Sequence, residues 1–157
     1  MSLTAWRIVK QKKPPRNAFD GEGARLYGGR WNSPGVPMVY TAGSQSLAVL
    51  EMLVHLDNSD LLEKYVFFEV ILDEALVTAV AAADLPRNWR ADPAPSKLRA
   101  IGDDWVASAA SVVLRVPSSV IPAEYNYLLN PKHPDFAKLK IGKAQPFRYD
   151  ARLAERG

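Results

Sequence analysis

Residues 28–56 read GGRWNSPGVPMVYTAGSQSLAVLEMLVHL, and this stretch decides what fold the rest of the chain must build. Its second half, Ser46–Leu56, predicts a helix in which Leu47–Val54 is apolar throughout except at Glu51. A helix that is apolar on all sides is typical of a buried helix. Because an unpaired buried carboxylate is very costly, we expect Glu51 to have a partner or to face a cleft, and Arg30 is the natural partner.

Short apolar runs on either side of this stretch predict the strands of a sheet. The predicted strands are Ala5–Val9, Val36–Thr41, Tyr65–Leu72, Val112–Val116 and two short pieces near Leu139–Ile141 and Pro146–Tyr149. A second helix is predicted over Ser96–Ala109, and the proline-containing segments Gln11–Gly23 and Leu85–Pro95 are expected to be loops. Because short strands and a few helices follow one another without strict alternation, we predict an α+β fold with short mixed sheets, formed as a single domain over residues 1–157.

The composition is that of an ordinary globular protein, with 48% hydrophobic and 24% charged residues. The sequence contains no apolar run of about 18 residues, so no membrane span is expected. The first residues lack the apolar core of a secretory signal. The absence of cysteine excludes disulfides, thiolate metal ligands and a cysteine nucleophile. We therefore expect a cytoplasmic protein.

The net charge of +3 makes the chain mildly basic. The basic residues cluster early, at Lys10, Lys12, Lys13 and Arg16, and late, at Lys132, Lys138, Lys140 and Lys143. Such clusters are typical of solvated surface, whereas a nucleic-acid binder would show a denser basic stripe with aromatic residues between the charges. We therefore expect no direct contact with nucleic acid, while a basic rim also suits an anionic small molecule or an acidic partner.

The familiar nucleotide and metal motifs are absent from the sequence. There is no GxxxxGK[ST] loop and no GxGxxG between a strand and a helix. The two histidines, His55 and His133, lie far apart, and no spacing of histidines or carboxylates matches a metal site. A GxSxG nucleophile elbow is also missing. The sequence thus predicts neither a metal nor a bound cofactor.

Three polar residues remain as candidates for shared chemistry: Arg30, Tyr40 and Glu51. They are predicted to lie on a loop, at a strand end and on a helix. Arginine can hold a pyrophosphate through paired hydrogen bonds, tyrosine can stack on a flat ring, and a carboxylate in a dry cleft can stabilise an oxocarbenium-like carbon. The structural alternatives are a buried Arg30–Glu51 ion pair without catalytic role and an ordinary core tyrosine.

The stretch 28–56, together with LRVPSSVIPAEYNYLLNPKHPDF at residues 114–136 and FRYDARL at residues 147–153, resembles the RES domain family. That family is named for polar arginine, glutamate and serine positions, and the order and spacing of its motifs match here from Trp6 to Leu153. The resemblance implies a fold similar to that of the ADP-ribosyltransferase toxins. It also implies the toxin of a type II toxin–antitoxin pair, whose antitoxin is an Xre-type helix-turn-helix protein.

The resemblance further implies an enzyme that takes NAD+ as its substrate rather than as a cofactor. Members of the family are implied to cleave the nicotinamide–ribose bond by hydrolysis or phosphorolysis, and at least one branch to ADP-ribosylate a protein instead. The alternative from another class is a non-catalytic module whose cleft receives an antitoxin tail. A homodimer within the toxin–antitoxin complex is a further expectation.

Matched position by position, the family's functional residues fall on a small set of this chain. The implied catalytic residues are Arg30, Tyr40, Glu51 and Ser118, and the implied substrate-binding residues are Arg7, Arg30, Tyr40 and Asn126. Arg30 is expected to grip the pyrophosphate with help from Arg7. Tyr40 is expected to stack against nicotinamide or its ribose, while Glu51 fixes the ribose hydroxyls and stabilises positive charge as nicotinamide leaves.

The serine of the set is expected to orient either Glu51 or the substrate. Ser118 follows the RVP motif directly, and Ser111 and Ser119 are its competitors in the sequence. The acid departs from the pattern of typical ADP-ribosyltransferases, in which the catalytic glutamate comes late in the chain and on a strand. Here the matching residue, Glu51, comes early and on a predicted helix.

Overall fold

A mixed sheet of eight strands runs through the part of the chain that the structure describes, residues 1–12 and 17–154 of a computed structural model. The strands are β1 (Ser2–Lys10), β2 (Val39–Ala42), β3 (Tyr65–Asp73), β4 (Val77–Ala79), β5 (Val113–Pro117), β6 (Tyr125–Leu129), β7 (Lys140–Ile141) and β8 (Gln145–Phe147). Their order across the sheet is β4-β5-β6-β2-β1-β3-β7, and β8 pairs with the first part of β3. The pair β4–β5 is parallel and the other pairs are antiparallel.

Three α-helices accompany the sheet within the described residues: α1 (Glu22–Tyr27), α2 (Gln45–Leu53) and α3 (Ser96–Ser108). Short 3-10 turns lie at Asp60–Leu62, Glu74–Leu76, Ala82–Asp84, Pro134–Lys138 and Ala151–Leu153. A mixed sheet with a few helices, which do not alternate regularly with the strands, confirms the predicted α+β class.

The longest ladder of the sheet pairs all of β1 with all of β3 in antiparallel register. The nearly continuous apolar run of β3 is explained by burial on both of its faces. Tyr65 and Phe67 enter a core beneath α2, whereas Val70 and Leu72 enter a second core on the opposite face. Alternate residues of a strand point to opposite faces, so a strand covered on both sides needs apolar residues at successive positions.

Each strand predicted from the sequence is present, with its ends moved by a few residues. Strand β2 begins at Val39 rather than Val36, in keeping with Pro37, which has no amide hydrogen to donate to a neighbouring strand. Strands β4 and β6 were not anticipated by the sequence pattern, and β6 has the greater consequence because it lies between β2 and β5 at the centre of the sheet.

Helix α2 is not buried on all sides, so the prediction of a fully buried helix is wrong. It begins at Gln45 after Ser44, whose Oγ accepts a hydrogen bond from the Leu47 amide as an N-cap does. Leu47 and Ala48 are buried in the core against the sheet, but Val54, just past the helix end, is 60% exposed. One face of the helix therefore meets the sheet, and the others face a cavity and solvent.

Helix α1 lies where the sequence predicts a loop and a glycine turn. Gly21 precedes it with a φ of 73°, a left-handed conformation that favours glycine. Inside the helix, the Glu22 carboxylate accepts hydrogen bonds of 2.6 and 2.9 Å from the Arg25 guanidinium. None of its six residues is buried, so no apolar period signals the helix. Residues 13–16 of the predicted loop Gln11–Gly23 lie outside the described residues.

Helix α3 packs closely against the loop that carries the GGRWN motif. Trp31 is 2% exposed and shares a core with Trp105 of the helix. Gly102 is a point of very close approach, because a Cβ there would lie 1.7 Å from the Trp31 carbonyl oxygen. The Asp103 carboxylate accepts a 2.9 Å hydrogen bond from the Ser33 amide. Gly102 weakens the helical pattern in the sequence, but its lack of a side chain allows α3 to pack closely against this loop.

Candidate active site

A large cavity of about 1290 Å³ opens between the Gly28–Trp31 loop, strands β1 and β2, helix α2 and the segment 90–94. Its wall includes five of the six site residues singled out from the sequence, namely Arg7, Arg30, Tyr40, Glu51 and Asn126. The sixth, Ser118, is completely buried and contacts Glu51 from behind. Folding therefore brings together in one place residues from five separate segments of the chain.

Ser118 holds the carboxylate of Glu51. Its Oγ donates a 2.6 Å hydrogen bond to Glu51 Oε1 and accepts hydrogen bonds from the amides of Val120 and Ile121 at 3.1 and 3.0 Å. A hydroxyl has one proton and two lone pairs, so these three bonds use its full capacity and aim its proton at the acid. The short distance is typical of a charge-assisted bond to a carboxylate.

The two competing serines are engaged elsewhere. Ser111 accepts a hydrogen bond from Trp105 Nε1 at 2.9 Å and donates to the Val113 carbonyl at the same distance. Ser119 lines the cavity but contributes its backbone carbonyl, which accepts from Arg90 Nε at 3.0 Å. Of the three serines considered, Ser118 is the one in contact with Glu51, and this geometry favours orienting the acid over contacting the substrate.

Arg30 does not pair with Glu51, so the expected ion pair is wrong. Arg30 Nη1 instead donates to the backbone carbonyls of Trp89 and Ala91, both at 3.0 Å. The physical reason is that Glu51 needs no cation: it is half-buried at a cavity wall, and Ser118 supplies a hydrogen bond to its oxygen. Arg30 and Glu51 share the cavity as two separate groups, which leaves both available to a ligand.

Tyr40 fastens the GGRWN loop to the sheet. Its hydroxyl donates to Asn32 Oδ1 at 2.6 Å and accepts from the Trp31 amide at 3.1 Å, and its burial raises the pKa of the phenol. Asn32 is fully buried and its amide nitrogen donates to three backbone carbonyls. A Cβ at Gly29 would lie 2.6 Å from the Tyr40 hydroxyl, which explains why a glycine precedes Arg30. Tyr40 is also one of the residues that line the cavity.

Arg7 reaches the cavity from the middle of β1. Its Nε donates to the Ala18 carbonyl and its Nη1 donates to the Tyr40 carbonyl at 3.0 Å. Desolvation lowers the pKa of Arg7 to about 10, an effect that the negative charge of Asp20 partly offsets. The guanidinium therefore stays charged at neutral pH, in a partly desolvated setting where an anion would be attracted strongly.

Asn126 carries a polar atom without a partner. It lies on β6 opposite Ala42 of β2, and its Oδ1 is buried without a hydrogen-bond donor among the residues that the structure describes. Buried side-chain polar atoms in folded proteins are nearly always hydrogen-bonded, so each exception calls for an explanation. The residue also lines the cavity, although the unpaired oxygen itself is buried beneath the cavity surface.

The structure adds three cavity residues that the sequence reasoning missed: His55, Arg90 and Arg99. His55 follows Glu51 by four positions, a spacing that places two residues on one side of a helix and that was a usable signal. Arg90 and Arg99 carry no such signal, because they come from a proline-rich loop and from the start of α3. With Arg7 and Arg30 they make four cavity arginines against two carboxylates, Glu51 and Asp92.

The described residues 1–12 and 17–154 contain no group of three or more His, Cys, Asp or Glu residues that could hold a metal ion. Over the same residues, no helix is both long enough and apolar enough to cross a membrane.

These features define a class: an α+β protein in which a serine-held glutamate shares a deep cleft with several arginines. The RES domain family model matches residues 4–150, and the chain belongs to that family. A protein named Toxin Res from Yersinia enterocolitica is 41% identical over 153 residues, covering 96% of this chain and 99% of the relative. A protein named Prs ADP-ribosylating toxin from a Sphingobium species is 38% identical over 157 residues, covering 98% of each chain.

The fold has a counterpart among solved structures. The toxin–antitoxin complex MbcT–MbcA of M. tuberculosis contains a chain that matches with a TM-score of 0.77 over 99% of this chain and 88% of that chain. Sequence identity in this match is 19%, so the similarity bears on the fold.

Proposed function

We propose that this RES family protein is the toxin of a type II toxin–antitoxin system and that it cleaves the nicotinamide–ribose bond of NAD+. The observation that carries the proposal is the 2.6 Å hydrogen bond from buried Ser118 to Glu51, at the wall of a cavity that also contains four arginines. The relatives named Toxin Res support the toxin assignment.

The shape and charge of the cavity suit a dinucleotide. Its volume of about 1290 Å³ exceeds the roughly 300–1,000 Å³ of sites for drug-sized ligands. Arg7 and Arg30 would bind the pyrophosphate, for which a guanidinium offers paired N–H donors. Tyr40 offers its ring to nicotinamide or the attached ribose, and Asn126 offers an amide to a hydroxyl or carboxamide.

Glu51 would act on the bond that breaks. When the C–N bond between ribose and nicotinamide opens, both electrons leave with nicotinamide, which becomes neutral, and positive charge develops on the ribose carbon and ring oxygen. A carboxylate fixed by Ser118 stabilises this charge without having to reorient during the reaction. Water then attacks the carbon and loses a proton, which gives ADP-ribose; inorganic phosphate would give ADP-ribose-1″-phosphate instead.

A second candidate is transfer of ADP-ribose to a protein, because the 38% identical relative is named an ADP-ribosylating toxin. The same cavity would serve, and the acceptor would be a protein side chain rather than water or phosphate.

A partner is also proposed: an Xre-type antitoxin that neutralises the toxin in the cytoplasm, within a complex that contains a toxin homodimer.

Product analysis separates these reactions. Purified protein is incubated with NAD+ labelled in its adenylate half, with and without inorganic phosphate, and nicotinamide, ADP-ribose and protein-bound label are measured. Cleavage predicts equimolar nicotinamide and free ADP-ribose or its 1″-phosphate. Label that precipitates with protein would favour the transferase, and the absence of nicotinamide from a protein that binds NAD+ would contradict both hydrolysis and phosphorolysis.

A further inference from the structure

The segment Trp89–Ala91 links two sides of the cavity in a way that the sequence does not suggest. Arg30 Nη1 donates to the carbonyls of Trp89 and Ala91 at 3.0 Å, so it holds the backbone on both sides of Arg90. Arg90 Nε then donates to the Ser119 carbonyl at 3.0 Å, next to the serine that holds Glu51. This segment is thus tied to both the arginine side and the acid side of the cleft.

Arg30 and Arg90 use only part of their hydrogen-bonding capacity in these contacts. Arg30 engages one of its three guanidinium nitrogens and Arg90 engages its Nε, and among the described residues their other nitrogens have no hydrogen-bond partner. Both residues line the cavity, so their remaining N–H groups are candidates for contact with a bound molecule. Both guanidinium groups carry positive charge, so each would attract an anion bound in the cavity.

We infer that Arg90 is a third diphosphate-binding residue beside Arg7 and Arg30, which contacts the phosphates with its terminal nitrogens while its Nε keeps the 89–94 wall against Ser119. The inference rests on the proposed function for its substrate and goes beyond it by naming a residue from the proline-rich loop. A diphosphate carries two anionic groups. The guanidinium groups of Arg30 and Arg90 could each bind one of them. Contact with a non-reacting part of the substrate affects binding more than the chemical step.

The test uses Arg90→Gln, Arg90→Lys and the matched control Arg87→Gln. Arg87 is an exposed arginine of the same loop that does not line the cavity. The probe is ADP, which carries a diphosphate but no bond to cleave, and its dissociation constant is measured by calorimetry. Loss of a charge-assisted contact predicts binding weakened by about 10- to 100-fold in Arg90→Gln. Arg90→Lys should fall between the wild type and Arg90→Gln, and Arg87→Gln should match the wild type.

Kinetics supply a second readout that a purely structural role would not reproduce. Arg90→Gln should raise the KM for NAD+ and leave kcat nearly unchanged, with a smaller effect on nicotinamide mononucleotide, which lacks the diphosphate. Unchanged ADP affinity in Arg90→Gln, an equal loss in Arg87→Gln, or no ADP binding by the wild type would overturn the inference. If ADP binding depends on Arg90 while the wild type releases no nicotinamide, this inference stands and the proposed reaction fails.

Discussion

At the scale of single residues, the contact between Ser118 and Glu51 is the feature on which the proposed chemistry depends. Ser118 is completely buried and uses all of its hydrogen-bonding capacity on three groups. The sequence could nominate this serine only by its place after the RVP motif. Its competitors Ser111 and Ser119 could be set aside only once the structure gave their contacts, because hydrogen bonds between residues 67 positions apart leave no local pattern.

Ser118→Ala is expected to lower both stability and activity. The change leaves the partly buried amides of Val120 and Ile121 without their acceptor and removes the donor to Glu51, which should cost about 1–3 kcal/mol in the free energy of unfolding. Urea denaturation and nicotinamide release measure the two effects. Ser119→Ala is the control and should stay within about 0.5 kcal/mol of the wild type. Wild-type stability and turnover in Ser118→Ala would show that this contact has no role.

Tyr40→Phe tests the tyrosine as the anchor of the loop. The Trp31 amide and Asn32 Oδ1 lose their partner, so the free energy of unfolding should fall by about 1–3 kcal/mol near neutral pH. Because burial raises the pKa of Tyr40 in the folded state, the folded protein binds more protons than the unfolded chain in alkaline solution. Wild-type stability should therefore fall as the pH rises above about 10, the ordinary tyrosine pKa.

Since Tyr40→Phe cannot lose that proton, its stability difference from the wild type should shrink as the pH rises. Urea denaturation at a series of alkaline pH values measures this convergence. The control is Tyr27→Phe, at a side chain that is 84% exposed, which should follow the wild type throughout. A gap between Tyr40→Phe and the wild type that stays constant with pH would contradict the assigned role.

At the scale of secondary-structure elements, the sequence predicted the elements that have a regular hydrophobic pattern. It did not predict features that depend on contacts between particular residues. The apolar run of β3 and the apolar period of α3 predicted a strand and a helix. Burial recurs along each element at a regular interval, so it leaves a regular pattern in the sequence. Helix α1 escaped prediction because it buries no residue. For α2, apolar composition predicted complete burial, but the composition cannot tell a core from the wall of a cavity, and the helix borders one.

Gly102→Ala tests the contact between α3 and the GGRWN loop. Alanine favours an isolated helix over glycine by about 1 kcal/mol, so helix propensity alone predicts stabilisation. The added Cβ would meet the Trp31 carbonyl oxygen at 1.7 Å, and backbone on both sides cannot easily give way. We therefore expect a net loss of about 3 kcal/mol, together with weaker ADP binding as the loop moves.

Chemical denaturation and ADP titration measure these two effects. Ala100→Gly, at an exposed position of the same helix, is the matched comparison and should cost about 1 kcal/mol without changing ADP affinity. A Gly102→Ala protein at least as stable as the wild type would mean that helix and loop are not in close contact.

At the scale of the whole molecule, the cavity gathers residues from five segments between Arg7 and Asn126. The family resemblance predicted these members because it carries spacing information that one sequence lacks by itself. Their mutual contacts could not be predicted: Arg30 binds backbone carbonyls of the Leu85–Pro95 loop instead of Glu51. Arg90 and Arg99 join the site only through the path of that loop and of α3.

In cells, we expect production of the protein to lower the NAD+ pool and to arrest growth. Glu51→Gln removes the carboxylate that is proposed to stabilise the developing positive charge, but it should not unfold the protein. Cells that contain this variant at the wild-type protein level should therefore keep their NAD+ pool unchanged. Growth curves with NAD+ quantified in extracts provide the measurement, and Glu63→Gln, an exposed glutamate outside the cavity, is the control. Growth arrest by Glu51→Gln equal to that of the wild type would favour the non-catalytic module.

The most direct test is single-turnover release of nicotinamide from NAD+ by purified wild type and Glu51→Gln, with NAD+ binding measured on the same samples. We expect the substituted protein to bind NAD+ within a few-fold of the wild type and to release nicotinamide about 100- to 1000-fold more slowly, since the group proposed to stabilise the developing charge is gone. Equal rates of release from the two proteins would contradict the central claim that the serine-held carboxylate drives cleavage.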